Sequence, residues 1–323
     1  MDGGISVRHV VSISIGSSKR DHRAEIEIMG EKFLIERIGT DGNMDLAAAM
    51  IRELDGKVDA FGLGGIDMYI FAGNRRYTIR DAKRFAEAAQ RTPLVDGSGL
   101  KNSLERRVVD FLRDELGMEL KRRHLLLVSA ADRFGMAEAF AEAGCEMIIG
   151  DLMFGLGIPI PLRSLGALSA VARIAAPIAV RLPFSLLYPT GDKQEQPKIR
   201  YIKYYQWAEI IAGDYLFISS HMPDDLQGKI IVTNTVTEDD VAKLRQKGVQ
   251  TLITSTPNLC GRSFGTNVLE AVLVTLIGKP PEEIRPGDYI RMLEAVNFTP
   301  RVEHLQPHSR PREFQEKDRI FVR

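Results

Sequence analysis

The segment from His124 to Asp151 constrains the fold of this chain more than any other. It begins with the apolar run Leu125–Val128, which is short and flanked by polar residues, as expected for a strand buried on both faces of a parallel sheet. A turn over 129–136 leads into a helix that ends at Gly144, and a second buried strand ends at Asp151. This βαβ unit of about thirty residues predicts a parallel sheet covered by helices.

The same alternation of strands and helices continues to about residue 277. Predicted strands are 125–130, 146–150, 177–182, 214–219, 229–235 and 249–255, and predicted helices lie near 135–143, 163–175, 203–212, 237–247 and 265–277. Six strands interleaved with helices indicate a Rossmann-like doubly wound sheet. Before it, strands near 10–15, 24–28 and 33–35, read as a meander, predict an N-terminal α/β domain with a mixed sheet.

We therefore divide the chain into three parts. Residues 1–118 form an N-terminal α/β substrate-binding domain, residues 119–279 a Rossmann-like dinucleotide-binding domain, and residues 280–323 a C-terminal extension that packs back on the fold. A basic amphipathic helix from Ser103 to about Leu116 precedes the boundary.

Composition narrows the classes of function. Lys plus Arg and Asp plus Glu number 43 each, so no global basic field favours nucleic acid as a partner. The sequence has neither a run of eighteen apolar residues nor a signal-peptide pattern, so we expect cytoplasmic residence and no membrane contact. Its two cysteines argue against a disulfide framework. The six histidines are scattered along the sequence, so no metal is expected.

The turn after the first strand of the βαβ unit suggests a nicotinamide cofactor. Gly135 is the only glycine of that turn, but a helix N-terminus can bind an anion through free N–H groups. Arg133 is the expected phosphate contact, and Asp151 could accept a hydrogen bond from a ribose 2′-hydroxyl, which favours NAD over NADP. The predicted cofactor-binding residues, at the carboxyl ends of several strands, are Ser129, Asp132, Arg133, Phe134, Gly135, Met136, Asp151, Asn234, Thr235, Thr254 and Ser255.

Three glycine-rich loops in the N-terminal domain indicate a substrate pocket. Burial could tune a lysine there into a base, and carboxylates could assist it. The predicted catalytic residues are Lys101, Asp67, Lys19 and Asp96. The predicted substrate-binding residues are Ser17, Ser18, Gly64, Gly65, Ser98, Asn102, Arg262 and Asn267. Each of these residues also has a plain interpretation as a turn former or helix cap. The polar loop 188–193 is a candidate lid.

Five segments resemble bacterial proteins named quinate 5-dehydrogenase, over nearly the whole chain to about Gly278. The segments are SIGSSKRDH, VDAFGLGGIDMYIFAG, VDGSGLKNSLERRVV, SAADRFGMAEA and TPNLCGRSFGTNVLEAVL. The resemblance implies a layout like that of shikimate dehydrogenase, with a substrate domain followed by a Rossmann domain that binds NAD or NADP. The N-V-T-x-P-x-K motif of those dehydrogenases does not occur in this sequence.

The sequence supports three hypotheses about function. The first is an NAD(P)-dependent oxidoreductase acting on a small polyhydroxylated acid such as quinate or shikimate, with a lysine and a carboxylate moving the hydroxyl proton. The second is a non-redox protein that binds a nucleotide or sugar phosphate in the same inter-domain crevice. The third is a metabolite-binding regulatory or scaffolding protein without catalysis. The apolar helices near 163–175 and 265–277 could serve the core or a homodimer contact equally well.

Overall fold

The computed structural model of the chain describes residues 7–72, 75–181, 199–256, 258–259, 262–263 and 265–306. These residues form two α/β units, each built on a sheet that is parallel except for one edge strand. The predicted fold class, a mixed-sheet α/β domain followed by a doubly wound parallel sheet, is confirmed. The loop expected to act as a lid, 188–193, lies outside the described residues.

The first sheet and a small hairpin are formed by the first seven strands. These are β1 (Arg8–Ser14), β2 (His22–Ile28), β3 (Glu31–Gly39), β4 (Ala60–Gly64), β5 (Tyr69–Ala72), β6 (Arg75–Thr78) and β7 (Leu94–Val95). The sheet has the order β2-β3-β1-β4-β7, and β5 pairs with β6 alone. The predicted meander is wrong, because β3 returns to lie parallel to β1 with Val10 opposite Ile35. From Val10 to Ser14 the strand β1 is buried on both faces, and such a strand takes a central position with a neighbour on each side.

The second sheet is the doubly wound sheet that the βαβ unit predicts. Its strands are β8 (His124–Leu127), β9 (Glu146–Ile149), β10 (Ile210–Ala212), β11 (Ile230–Thr233), β12 (Thr251–Thr254) and β15 (Arg301–His304), and β13 (Asn258–Leu259) and β14 (Arg262–Ser263) form a separate hairpin. The order is β15-β12-β11-β10-β8-β9, with only β15 antiparallel. Successive strands are added to one side of β8 and then, from β10 onward, to its other side, so the strand order reverses between β8 and β10. Ligands of such sheets bind beyond the carboxyl ends of the strands at this point.

The helices cover both sheets. They are α1 (Met44–Leu54), α2 (Lys83–Ala88), α3 (Ser98–Asp114), α4 (Phe134–Glu142), α5 (Leu165–Ala179), α6 (Ile202–Trp207), α7 (Tyr215–His221), α8 (Glu238–Gln246), α9 (Thr266–Ile277) and α10 (Pro286–Ala295). Two predicted strands are wrong: 177–182 overlaps the end of α5, and 214–219 lies in α7. The carboxylate of Asp214 accepts a hydrogen bond from the N–H of Leu216 and so begins α7. The intervening strand, β10, lies within the predicted helix 203–212.

Helix α3 connects the two units. Its first half contributes Leu100 and Leu104 to the core of the first sheet, and its second half contributes Val108 and Leu112 to the core of the second. At 1.5 Å per residue, its 17 residues extend about 25 Å. The helix begins at Ser98 rather than at Ser103, because Gly97 takes a left-handed conformation, with φ of 92°, that turns the chain into the helix.

Helix α9 packs on the first sheet although its sequence position falls within 119–279. Val268 and Val272 lie in one apolar cluster with Val10 and Leu100. The chain then returns through α10 and pairs β15 with β12. In the described part of the chain, no helix combines the length and the apolarity needed to cross a bilayer.

Candidate functional site

A cavity of about 1400 Å³ lies where strand ends of both sheets come together. Its lining includes Asp67, which follows β4, and Asp96, which follows β7. Ser129 and Asp132, which follow β8 in the second sheet, also line the cavity. We call this space the inter-domain crevice. Its position agrees with the rule that α/β sheets bind ligands at the carboxyl ends of their strands.

Lys101 is part of the crevice lining and lies between two carboxylates. Its Nζ lies 2.9 Å from Asp67 Oδ1 and 3.9 Å from Asp132 Oδ2. Burial opposes the charge of Lys101, but the two carboxylates outweigh it and hold the pKa of Lys101 above its usual value. We therefore expect Lys101 to be an ammonium at neutral pH and to act as a hydrogen-bond donor, an arrangement that does not favour its predicted role as a base.

Asp96 links the loops at the crevice edge by accepting main-chain hydrogen bonds. Its Oδ2 accepts the main-chain N–H of Met68 at 2.5 Å, and its Oδ1 accepts that of Ser98 at 3.0 Å. Behind it, the carboxylate of Glu270 on α9 accepts the N–H of Gly97 and the hydroxyl of Tyr289, each at 2.6 Å. These bonds hold the first turn of α3, and with it Lys101, against α9 and α10.

Arg133 lies in a buried network of carboxylates. Its guanidinium pairs with Glu105 on α3 and lies 3.0 Å from Asp214 Oδ2 after β10. Its Nε lies 3.7 Å from Asp132 Oδ2. The side chain of Arg133 is 2% exposed and that of Glu105 1%. The expected role of Arg133 as a phosphate contact does not fit this arrangement, because its charge is already shared among three carboxylates.

The turn that was expected to hold a pyrophosphate is filled by the protein itself. Asp151 Oδ1 accepts the N–H groups of Ala130 and Ala131 at 3.1 and 2.7 Å, so a carboxylate of the chain occupies donors that an anionic ligand would need. Burial raises the pKa of Asp151 to about 6 although these hydrogen bonds oppose the shift. At the start of α4, a methyl group on Gly135 would lie only 2.8 Å from the main-chain oxygen of Asn102.

The structure brings eleven of the predicted site residues into the crevice lining. They are Asp67, Asp96, Ser98, Lys101, Asn102, Ser129, Asp132, Arg133, Phe134, Gly135 and Asp151. Residues predicted for catalysis and residues predicted for cofactor binding therefore share one cavity, and Lys101 and Asp132 lie side by side in it.

Other predicted site residues lie elsewhere. Those outside the described crevice lining are Ser17, Ser18, Lys19, Gly64, Gly65, Met136, Asn234, Thr235, Thr254, Ser255 and Asn267. Ser17 accepts the N–H of Lys19 in a short helical turn where Ser18 and Lys19 are exposed. Met136 and Thr254 are fully buried, Asn234 bonds the loop that begins α7, and Asn267 donates to Ser12 Oγ. The backbone of Arg262 lies in β14.

Sequence reasoning missed Glu105, Asp214 and Glu270. Glu270 is a single acid within the apolar helix Val268–Ile277, and a buried acid normally needs a partner, so this position carried a usable signal. Glu105 follows Lys101 by four residues and therefore shares its helix face, but an acid beside two arginines resembles a solvated surface.

Metal ligation has no support in the described part of the chain. There, His, Cys, Asp and Glu side chains are nowhere grouped in threes in a way that could hold a metal ion. The carboxylates of the crevice are paired instead with Lys101, Arg133 and main-chain N–H groups.

Two family models match the chain. The one described as Domain of unknown function (DUF8754) matches residues 99–305, and the one described as Domain of unknown function (DUF8753) matches residues 9–96. Their junction falls at the beginning of α3. No curated protein matches the sequence.

Solved structures similar to this chain include binding proteins and enzymes. GanP, a glucose-galactose binding protein from Geobacillus stearothermophilus, has 9% identity and a TM-score of 0.37, with 93% of this chain and 98% of that chain covered. The hetero-hexameric glutamate dehydrogenase from Thermus thermophilus has 12% identity and a TM-score of 0.40, with 90% and 74% covered. The NAD-dependent malic enzyme from Thermotoga maritima has 12% identity and a TM-score of 0.34, with 90% and 84% covered. At these TM-scores the similarities do not bear on function.

Proposed function

We propose a function for this chain, which belongs to the family described as Domain of unknown function (DUF8754): it is an acid–base enzyme that binds a small polyhydroxylated compound in the inter-domain crevice. The observation that carries the proposal is the position of Lys101 Nζ between Asp67 and Asp132 in the crevice lining. A charged donor and carboxylate acceptors within reach of one bound hydroxyl are the components of proton transfer.

The two kinds of group have separate roles. The Lys101 ammonium donates a hydrogen bond to a substrate oxygen and stabilises negative charge that develops there. Asp132, whose side chain is 40% exposed, accepts the proton. Partial removal of water from around its carboxylate raises the pKa of Asp132 although Arg133 and Lys101 oppose the shift, and a raised pKa favours a proton acceptor near neutral pH.

The oxidoreductase hypothesis requires a nicotinamide, and the residues expected to hold one do not fit a pyrophosphate. Asp151 occupies the N–H groups of the β8–α4 turn, and Arg133 is neutralised by Glu105 and Asp214. An added diphosphate would face these carboxylates without a free cation at the turn. We therefore favour an enzyme that uses no nicotinamide. The same carboxylates argue against a nucleotide or a sugar phosphate as the ligand.

A thermal-shift screen of the purified protein tests the proposal. Neutral polyols and sugars, quinate, shikimate, NAD, NADP and ATP are compared in wild type, Lys101→Met and the exposed control Lys57→Met. A ligand at a hundred times its Kd should add about 2.7 kcal/mol to the free energy of unfolding. We expect a polyhydroxylated compound to raise the Tm of wild type and Lys57→Met but not of Lys101→Met.

Turnover then separates the reaction classes. We expect the enzyme to catalyse proton exchange or proton rearrangement in a bound compound in the absence of any nicotinamide, and NMR spectra of the compound follow this reaction. A Tm rise with NAD or NADP, followed by formation of the reduced cofactor with quinate or shikimate, would establish the oxidoreductase instead. Equal binding by wild type and Lys101→Met would remove Lys101 from the site.

A further inference from the structure

The inter-domain crevice contains more negative than positive charge. Its lining includes the carboxylates of Asp67, Asp96, Glu105, Asp132, Asp151 and Glu270. The cations nearest to them are Lys101 and Arg133. A carboxylate that is wholly or partly removed from water destabilises the fold unless it is paired or fully hydrogen-bonded. The partners of each of the six therefore show which carboxylates can accept a further hydrogen bond.

Three of the carboxylates are satisfied within the chain by hydrogen-bond donors. Asp96 accepts two main-chain N–H groups, Asp151 accepts those of Ala130 and Ala131, and Glu270 accepts Gly97 N–H and the Tyr289 hydroxyl. Asp67 is paired with Lys101. Glu105 and Asp132 remain, and both lie against the guanidinium of Arg133, which also serves Asp214.

Glu105 has a carboxylate oxygen that lacks a hydrogen-bond partner among the described residues. Its Oε1 contacts Arg133, but its Oε2 is buried and accepts no hydrogen bond from any residue that the structure describes, and Glu105 lines the crevice. A buried acceptor that lacks a donor destabilises the fold, and more so when it is charged. The neighbouring Asp132 makes only the longer ion pairs of 3.9 Å with Lys101 and 3.7 Å with Arg133.

We propose that the ligand of the crevice carries an ammonium group that binds at Glu105 and Asp132, so that the ligand is an amino-substituted polyhydroxylated compound rather than an acid. This inference rests on the proposed function and specifies its substrate class. The ammonium supplies the donor that Glu105 Oε2 lacks and reduces the excess of negative charge. The Lys101 ammonium remains available for a hydroxyl of the same ligand.

Charge decides between the ligand classes. A carboxylate placed in the crevice would add a negative charge beside Glu105 and Asp132, where like charges repel. A neutral polyol could donate hydroxyl hydrogen bonds, but hydrogen bonds between two charged groups are roughly twice as strong. Glucosamine and glucose are pyranoses that differ mainly in this charge, and the open-chain gluconate adds a polyhydroxylated carboxylate, so the three compounds are suitable probes.

Titration calorimetry with these three probes on the full-length protein tests the inference. We expect wild type to bind glucosamine at least 10-fold more tightly than glucose, and gluconate most weakly. In Glu105→Gln the preference for glucosamine over glucose should disappear. The matched control Glu142→Gln, at a side chain that is 69% exposed on α4, should retain it.

Each other outcome has a defined meaning. Equal or tighter binding of glucose or gluconate by wild type overturns the ammonium inference but leaves the proposed function standing. Binding of none of the three overturns both. Because the comparison of probes is made on wild type, it decides the question even if Glu105→Gln does not fold. A response to Mg²⁺ alone, with no preference among the probes, would assign the carboxylates to an inorganic cation and also overturn the inference.

Discussion

At the scale of single residues, the arginine of the crevice shows how a sequence motif and its structural role can differ. Arg133 stands at the beginning of a helix, where a cation is unfavourable unless an anion is near. The anions are present, but they are Glu105, Asp132 and Asp214 of the same chain. The electrostatic reasoning was sound, and only the identity of the anion changed, because two of the three carboxylates, Glu105 and Asp214, lie far from Arg133 in sequence.

The Arg133 network should contribute strongly to stability. Arg133→Met leaves three carboxylates without their cation, and we expect the free energy of unfolding to fall by about 3–5 kcal/mol. The control Arg113→Met removes an arginine that is 51% exposed beside Asp110 and Asp114, and should cost less than about 1 kcal/mol. Urea denaturation measures both. An equal decrease in the free energy of unfolding in the two variants would mean that burial of the Arg133 network contributes nothing to stability.

Glu270 should make stability depend on pH. Burial, assisted by Asp96, raises the pKa of Glu270 from its ordinary 4.5 to about 7. A carboxyl whose pKa is higher in the folded state stabilises the fold fully below pH 4.5, and this contribution is lost as pH rises through 7. Glu270→Gln resembles the protonated acid, so its stability relative to wild type should increase between pH 4.5 and 7.5 in urea denaturation. Parallel curves for the two proteins would contradict this assignment.

At the scale of elements, the contact between α3 and α4 brings together residues that sequence analysis placed in different domains. Gly135 lies so close to Asn102 that a side chain has no room. Gly135→Ala should therefore destabilise the protein by about 1–3 kcal/mol through overpacking. The control Gly166→Ala, in α5, meets nothing nearer than 3.9 Å and should be neutral or slightly stabilising. A neutral Gly135→Ala variant would show that the two helices can move apart.

The errors in element assignment have a common cause. Strand β10 has three residues and helix α6 six, so neither is long enough to show its own periodicity. The neighbouring apolar runs 177–182 and 214–219 satisfy the strand pattern equally well. Residues 177–179 and 215–219 are nevertheless helical, and α7 begins at the cap that Asp214 provides. The predicted bounds of α9 agree within one residue, whereas the start of α3 and the end of α5 differ from the prediction by five and four residues.

At the scale of the whole molecule, the first sheet depends on a helix from the second half of the chain. The cluster that contains Val10, Ile35 and Leu104 is covered by α9 through Val268 and Val272. Residues 1–118 alone would expose this apolar surface to water. We expect that fragment to lack a cooperative thermal transition, and to recover one when it is co-expressed and co-purified with residues 119–323. A sharp melting transition of the isolated fragment would contradict the dependence.

The sequence by itself determined the fold class, the βαβ unit at 124–151 and eleven of the residues that line the crevice, because hydrophobic periodicity and strand-end positions are local properties. Only the tertiary structure decided the partners of those residues. It paired Arg133 with Glu105, bonded Asp151 to the main chain of the β8–α4 turn, and placed α9 on the first sheet. These contacts join residues far apart in the chain, and their energies depend on burial and distance, which no local pattern records.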